Sequence, residues 1–239
     1  MVQEVVLCLV VWSPCSPSLS PSLLYCYSRL AFALANIDYQ DERVELEAWK
    51  ELKPKTPFGQ LPLLQIGNNG PTQTQSMAML RWVGAQDVAG HLYPVTTDAS
   101  AAYAIEEALG VLQDFKNSWT PCLYLTRNPQ LYGHAADLSD DDKKALVKNV
   151  REYWLQDSLP RYLKDLQTLL DKHNGVWLAS STAPTIADCV AVPFLRSFTK
   201  GHVDYVPTDV LDQYPAIKSY VQRFCATAVP GRYKDGLHE

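Results

Sequence analysis

The chain has 239 residues, 47% apolar and 20% charged, the proportions of a globular protein with a substantial core, which excludes collagen-like and disordered classes. Its 21 Lys and Arg against 26 Asp and Glu leave a net charge of −5, so it exerts no general attraction on nucleic acid or anionic membranes. At roughly 100–200 residues per domain, the length allows one large domain or two small ones.

Val5 to Trp12 is an apolar run of eight residues, too short for a bilayer-spanning helix, which needs about 20. Glu4 precedes it in place of Lys or Arg, and no small-residue cleavage site follows, which argues against a secretory signal. The run reads as a buried strand. Ser13 to Ser22 carries Pro14, Pro17 and Pro21 and reads as loop or disorder. Leu23, Leu24, Tyr27, Leu30, Ala31 and Leu34 then recur at helical spacing, predicting a helix that ends near Asn36. A short edge strand around Val44 and a helix over Glu47 to Leu52 follow, before Pro54 and Pro57 break the chain. Leu61 to Ile66 leads into Gly67-Asn68-Asn69-Gly70, a hairpin signal whose second strand falls near Pro71 to Thr74. The helix Met77 to Val83 completes an α/β layer of residues 1–84, of which 1–28 are atypical.

Residues 85–98, with Gly90, Pro94 and Thr96-Thr97, read as a linker, and 99–239 as an all-helical domain. Its predicted helices are Ala101 to Phe115, Ser139 to His173 with a break near Pro160, Thr185 to Phe198 and Tyr214 to Ala226. Ser139-Asp140-Asp141-Asp142 and Thr185-Ile186-Ala187-Asp188 are helix-capping sequences and act as folding devices. The six cysteines, Cys8, Cys15, Cys26, Cys122, Cys189 and Cys225, show no paired spacing. They predict neither a metal site nor a disulfide framework, and a reducing, cytoplasmic setting is expected.

The chemistry concentrates between Trp49 and Ser76. Pro62 enters a buried strand without a ladder N–H, which suits a strand start or a cis Leu61-Pro62 peptide. The cis form turns the Leu61 backbone outward, where an extended peptide can pair with it. Gln75-Ser76 opens a helix with a hydroxyl and free N–H groups, a seat for a carboxylate. Together these features describe a pocket for a short anionic peptide.

Trp49 with Lys53, Thr56-Pro57-Phe58-Gly59-Gln60-Leu61-Pro62, Gln75-Ser76-Met77-Ala78-Met79-Leu80-Arg81-Trp82 and Thr185-Ile186-Ala187-Asp188 resemble, in this order, the cytosolic glutathione transferases, the sigma class above all. The resemblance covers residues 29–239. It implies an α/β plus all-α fold, with a thioredoxin-like N-terminal domain and a helical C-terminal domain, and a homodimer. The implied ligands are glutathione as co-substrate and a small hydrophobic electrophile, with no metal. Leu61, beside Pro62, would bond the cysteinyl part of glutathione through its backbone. Gln75 and Ser76 would hold its γ-glutamyl carboxylate, Gln60 would lie alongside, and Trp49 and Lys53 would reach the glycyl carboxylate. Asp114 would cross from the partner subunit to the γ-glutamyl amine, although Glu106 and Glu107 on the same helix are alternatives. Trp49 has an alternative as an aromatic packing on its own helix. The electrophile pocket would draw on Phe115 to Tyr124, the loop after the first strand and the tail around Val229 to Leu237.

The family's thiol activator is a hydroxyl that lowers the glutathione pKa. In sigma-like members a Tyr at the end of the first strand supplies it. Counting back from Ile37 without gaps puts Ser18 at that position and Leu24 where a helix-opening Arg belongs, while Arg29 is retained. Three readings stay open. Ser18, Ser16 or Ser13 donates instead; Tyr25 or Tyr27 swings in; or residues 1–28 are not the native beginning and the centre is incomplete. A non-catalytic glutathione-binding member and a thiol-exchange enzyme working through Cys15 are the competing functions.

Overall fold

The computed structural model describes residues 5–11, 22–67 and 70–228. The candidates Ser13, Cys15, Ser16 and Ser18, the turn residues Asn68 and Asn69, the tail from Val229 and the side chain of Tyr25 lie outside the described residues.

The chain opens with strand β1 (Val5–Val11), helix α1 (Ser22–Leu34), strand β2 (Gln40–Glu45) and helix α2 (Leu46–Leu52). Strands β3 (Leu63–Ile66) and β4 (Thr72–Gln73) and helix α3 (Ser76–Ala85) complete this part. The sheet order is β2-β1-β3-β4, with β1 and β2 parallel and the other two pairings antiparallel. The parallel pair needs a crossover, which α1 provides, while β3 and β4 form the expected hairpin. Helix α1 stops where the sequence places its end: Asn36 takes φ 52°, a left-handed conformation that Asn tolerates. Tyr27, Leu30, Ala31 and Phe32 on α1 meet Met79, Leu80 and Val83 on α3 and Leu64 on β3 in a buried core. This is the thioredoxin-like α/β part.

From residue 99 the described chain is helical. Its helices are α4 (Ala99–Tyr124), α5 (Asp140–Gln156), α6 (Ser158–Lys172), α7 (Ile186–Ser197) and α8 (Pro215–Arg223). Phe115, Trp119, Trp154, Phe194 and Phe198 form a continuous aromatic cluster, with ring centroids 4.5–5.9 Å apart. No described helix is long and apolar enough to cross a membrane.

Three helix boundaries in this part differ markedly from expectation. Helix α4 runs on past Phe115, through Pro121, to Tyr124, because Phe115, Trp119 and Cys122 continue one buried stripe whose packing outweighs the backbone bond lost at proline. It also begins at Ala99, since the Asp98 carboxylate accepts the N–H groups of Ser100 and Ala101 at 3.0 and 2.9 Å. The break in the long helical stretch falls at Asp157, not Pro160. Pro160 sits in the first turn of α6, where its missing N–H is not needed.

The two parts meet closely. A Cβ built on Gly84 of α3 would lie 2.6 Å from Ile186 Cγ2 of α7, so only glycine admits this approach. The Ile186 N–H donates to the Leu92 carbonyl at 3.1 Å, fixing α7 to the segment that follows α3.

Candidate functional site

Of the peptide-binding candidates read from the sequence, Leu61, Pro62, Gln75 and Ser76 flank one end of the β3–β4 hairpin. Leu64 of β3 pairs with Gln73 of β4, and Pro62 and Gln75 each lie two residues beyond this pair along their own strands. The Leu61-Pro62 peptide is cis, with both residues buried at the mouth of β3. On the facing side, Gln75 caps α3 at φ 70° and ψ 103°, a conformation rarely adopted by a residue with a side chain. Its carbonyl accepts the N–H groups of Ala78 and Met79 at 3.0 Å each. The remaining first-turn N–H groups, on Ser76 and Met77, have no acceptor inside the helix and sit at its positive end. The Gln75 side chain is exposed and bonds no backbone group of α3.

The loop before β3 carries the other candidates. Thr56 closes it by donating both its N–H and its hydroxyl to the Lys53 carbonyl, at 3.3 and 2.8 Å. Gly59 has φ 62°, and a Cβ there would meet Lys53 Cε at 3.6 Å, so the Lys53 stem lies over this turn. Lys53 and Gln60 are exposed, and Trp49 on α2 is partly buried.

Asp114 is exposed on α4 and takes part in no ion pair among the described residues. The two alternatives on the same helix are engaged within the chain. Glu106 receives both Nε and Nη2 of Arg81 at 2.7 Å and the Tyr93 hydroxyl at 2.8 Å. The Arg81 bonds hold the Glu106 carboxyl below the usual carboxylate range. Glu107 accepts from Lys172 of α6 at 2.9 Å.

Of the candidate activators, Tyr27 is described, and it is a packing residue. It is 1% exposed, and the Lys116 ammonium lies 4.9 Å from its ring centroid. Arg29 ties α1 to β2 through a 2.8 Å ion pair with Asp41. Burial pushes the Cys122 thiol up to about 12, which makes it inert.

Sequence reasoning passed over Lys116. It flanks the buried stripe of Phe115, Trp119 and Cys122, and carrying the helical pattern past Phe115 would have marked it as a charge beside an apolar face. It also passed over a cleft of about 530 Å³ lined by Arg196, Thr199, Leu211, Lys218, Gln222 and Cys225, which shares no residue with the peptide site. Arg196 Nη1 donates to Cys225 Sγ there at 2.7 Å, across 29 residues, and no local pattern announces the pair.

The family described as glutathione S-transferase, C-terminal domain, matches residues 132–228. The chain is 30% identical over 205 residues to Glutathione S-transferase 4 of Caenorhabditis elegans, covering 81% of this chain and 87% of that protein. It is 27% identical over 207 residues to Hematopoietic prostaglandin D synthase of Gallus gallus, covering 84% and 91% of the two chains. The fold superimposes on the sigma class GST of Fasciola hepatica with a TM-score of 0.71 at 18% identity, over 100% of this chain and 99% of that one.

Proposed function

The chain belongs to the glutathione S-transferase family, and on that premise we propose that it is a sigma-like, cytoplasmic enzyme adding the glutathione thiolate to hydrophobic electrophiles. The observation that carries the site assignment is the pairing of Leu64 with Gln73, beyond which the cis Leu61-Pro62 peptide and the strained Gln75 flank the same end of the hairpin. In this reading residues 1–84 hold glutathione and, after the linker 85–98, the helices of 99–239 supply the other wall of the electrophile pocket.

Each group has a task that its position suits. The γ-glutamyl carboxylate sits on the Ser76 hydroxyl and the free N–H groups at the positive end of α3, beside the exposed Gln75 side chain. The Leu61 backbone pairs with the cysteinyl residue as an added strand. Trp49 and Lys53 reach the glycyl carboxylate, with Gln60 between. Asp114 of the partner subunit meets the γ-glutamyl amine in a homodimer, because Glu106 and Glu107 are already held by Arg81 and Lys172.

The chemical step begins when the glutathione thiol gives its proton to solvent water. The sulfur lone pair then attacks an electrophilic carbon, a C–S bond forms, and the leaving group or the neighbouring π bond takes up the displaced electrons. The hydroxyl that stabilises the thiolate is assigned to Ser18, which occupies the position of the family's tyrosine when the sequence is counted back from Ile37.

Paired measurements on the full-length protein test this. Retention on immobilised glutathione is expected, together with conjugation of 1-chloro-2,4-dinitrobenzene. Lack of retention overturns the site assignment, and retention without conjugation overturns the enzymatic reading. A Ser18→Ala variant that conjugates at the wild-type rate removes Ser18 as the activator.

A further inference from the structure

Lys116 has a charge that the described protein does not neutralise. It projects from α4 of the helical part, partly buried, to the ring of Tyr27 on α1 of the α/β part, with Nζ 4.9 Å from the ring centroid. Two carboxylates earlier on α4 find counter-ions: Glu106 pairs with Arg81, and Glu107 with Lys172. No carboxylate pairs with Lys116 among the described residues. Only three acidic side chains lie outside the described ones, Glu4 ahead of β1 and Asp235 and Glu239 in the tail.

The face of an aromatic ring attracts an ammonium through its quadrupole but brings no opposite charge. A lysine that loses water to such a contact keeps its full charge, poorly compensated. Burial accordingly lowers the Lys116 pKa, with no carboxylate to raise it again. A cation held in this way gains most from an anion brought by a ligand, because the cost of desolvation has already been met within the fold.

We propose that Lys116 makes the electrophile side of the site selective for compounds bearing a carboxylate. The inference rests on the glutathione reading of the site and deepens it by naming the substrate class. The apolar body of such an electrophile lies along the partly exposed Thr120 and Tyr124, one and two turns on from Lys116 on the same face of α4, and its carboxylate meets the Lys116 ammonium at the junction with α1. The reactive carbon is left to face the thiolate.

Product-like ligands test this without requiring turnover. Binding of S-benzylglutathione and S-(4-carboxybenzyl)glutathione is measured by calorimetry on the wild-type chain and on the Lys116→Met and Lys116→Arg variants. In the wild type and in Lys116→Arg, the carboxylate conjugate is expected to bind about tenfold tighter relative to the benzyl conjugate than it does in Lys116→Met. The benzyl conjugate serves in each protein as an internal control for folding. An unchanged ratio across the three proteins overturns the inference and leaves the glutathione reading intact. If the tail carboxylates already neutralise Lys116, the preference is absent from the wild type and emerges only in an Asp235→Asn, Glu239→Gln variant, which also overturns it. If Lys116 acts on the thiolate, Lys116→Met raises the pKa of bound glutathione while the conjugate ratio stays the same, and the inference is again overturned. If neither conjugate binds to any of the proteins, the glutathione reading itself falls and the inference falls with it.

Discussion

The Tyr220 hydroxyl of α8 donates to Asp188 Oδ1 of α7 at 2.7 Å, across 32 residues, and completes the coordination of a fully buried carboxylate. The same oxygen accepts the Leu178 N–H at 3.1 Å, while Oδ2 accepts the Thr185 N–H at 2.7 Å and the Thr185 hydroxyl at 3.1 Å. Four donors from three parts of the chain therefore converge on one side chain. Asp188→Ala strands all of them in the core and is expected to cost on the order of 3–5 kcal/mol. Thr185→Ala removes the two bonds of its hydroxyl, one accepted from the Ala187 N–H and one donated to Asp188, and costs about 1–2 kcal/mol. Denaturant unfolding of the two variants checks the difference, and an Asp188→Ala loss no larger than that of Thr185→Ala refutes the convergence argument.

The same pair sets an alkaline limit to stability. Burial, followed by the charge of Asp188, raises the Tyr220 phenol well above its ordinary value of about 10. Above about pH 10 the unfolded chain gives up this proton while the folded chain keeps it. The folded state then binds more protons than the unfolded one, so stability falls as pH rises. The contribution is fully present below the unfolded value and is lost on the way to the folded one. The stability advantage of wild type over Tyr220→Phe should hold constant between about pH 7 and 9 and shrink above about 10. An advantage that persists unchanged to about pH 11 shows that Tyr220 ionises normally.

The capping half of this arrangement is legible in the sequence, because Thr185 and Asp188 are three residues apart and the box they form is local. Tyr220 is not, since nothing in a window of one helix connects it to α7. The same distinction runs through the candidate site. Leu61-Pro62 and Gln75-Ser76 are contiguous motifs joined by a hairpin that announces itself, so their place at one end of it follows from the turn. The engagement of Glu106 by Arg81 and Tyr93 depends on how α3 lies against α4, which sequence spacing does not encode. The end of α4 departs from the sequence reading in the opposite direction: the helix continues past Phe115 and through Pro121, where the burial of Trp119 and Cys122 on either side outweighs a local helix breaker.

Gly84 is the point at which the α/β part and the helical part come closest. A methyl group there would press on Ile186 Cγ2 at 2.6 Å and on Tyr93 Cβ at 2.9 Å, and Ile186 is fully buried with no room to yield. Alanine is a better helix former than glycine by up to about 1 kcal/mol, so an unobstructed site would gain stability from Gly84→Ala. Overpacking of the contact outweighs this, and a net loss of about 1–2 kcal/mol is expected. Thermal unfolding that shows a gain instead would mean that α3 and α7 can separate without cost.

Gln75 holds its strained backbone at the position where the carboxylate of glutathione is assigned. Glycine adopts positive φ freely, so Gln75→Gly relieves strain of about 1–3 kcal/mol while adding about 0.5–1 kcal/mol of unfolded-chain entropy. The expected outcome is a protein as stable as wild type or more so, with retention on immobilised glutathione lost along with the side-chain amide. Stability and binding thus move in opposite directions. A variant that loses stability by more than about 1 kcal/mol would show that the Gln75 conformation carries no strain.

The assignment of Asp114 to the partner's site has a consequence that a single-site variant cannot imitate. Each proposed site combines Ser76 of one subunit with Asp114 of the other, so Ser76→Ala and Asp114→Asn homodimers are both expected to bind glutathione weakly, by about tenfold or more. Mixing the two variants under conditions that exchange subunits yields a heterodimer in which one site carries both substitutions and the other carries neither. Titration of the purified heterodimer should then reveal wild-type affinity at half of the sites. If Asp114 served the site of its own subunit, each site of the heterodimer would carry one substitution and no wild-type affinity would return. Restoration at half stoichiometry, read by calorimetry, therefore separates the arrangement across subunits from the one within a subunit.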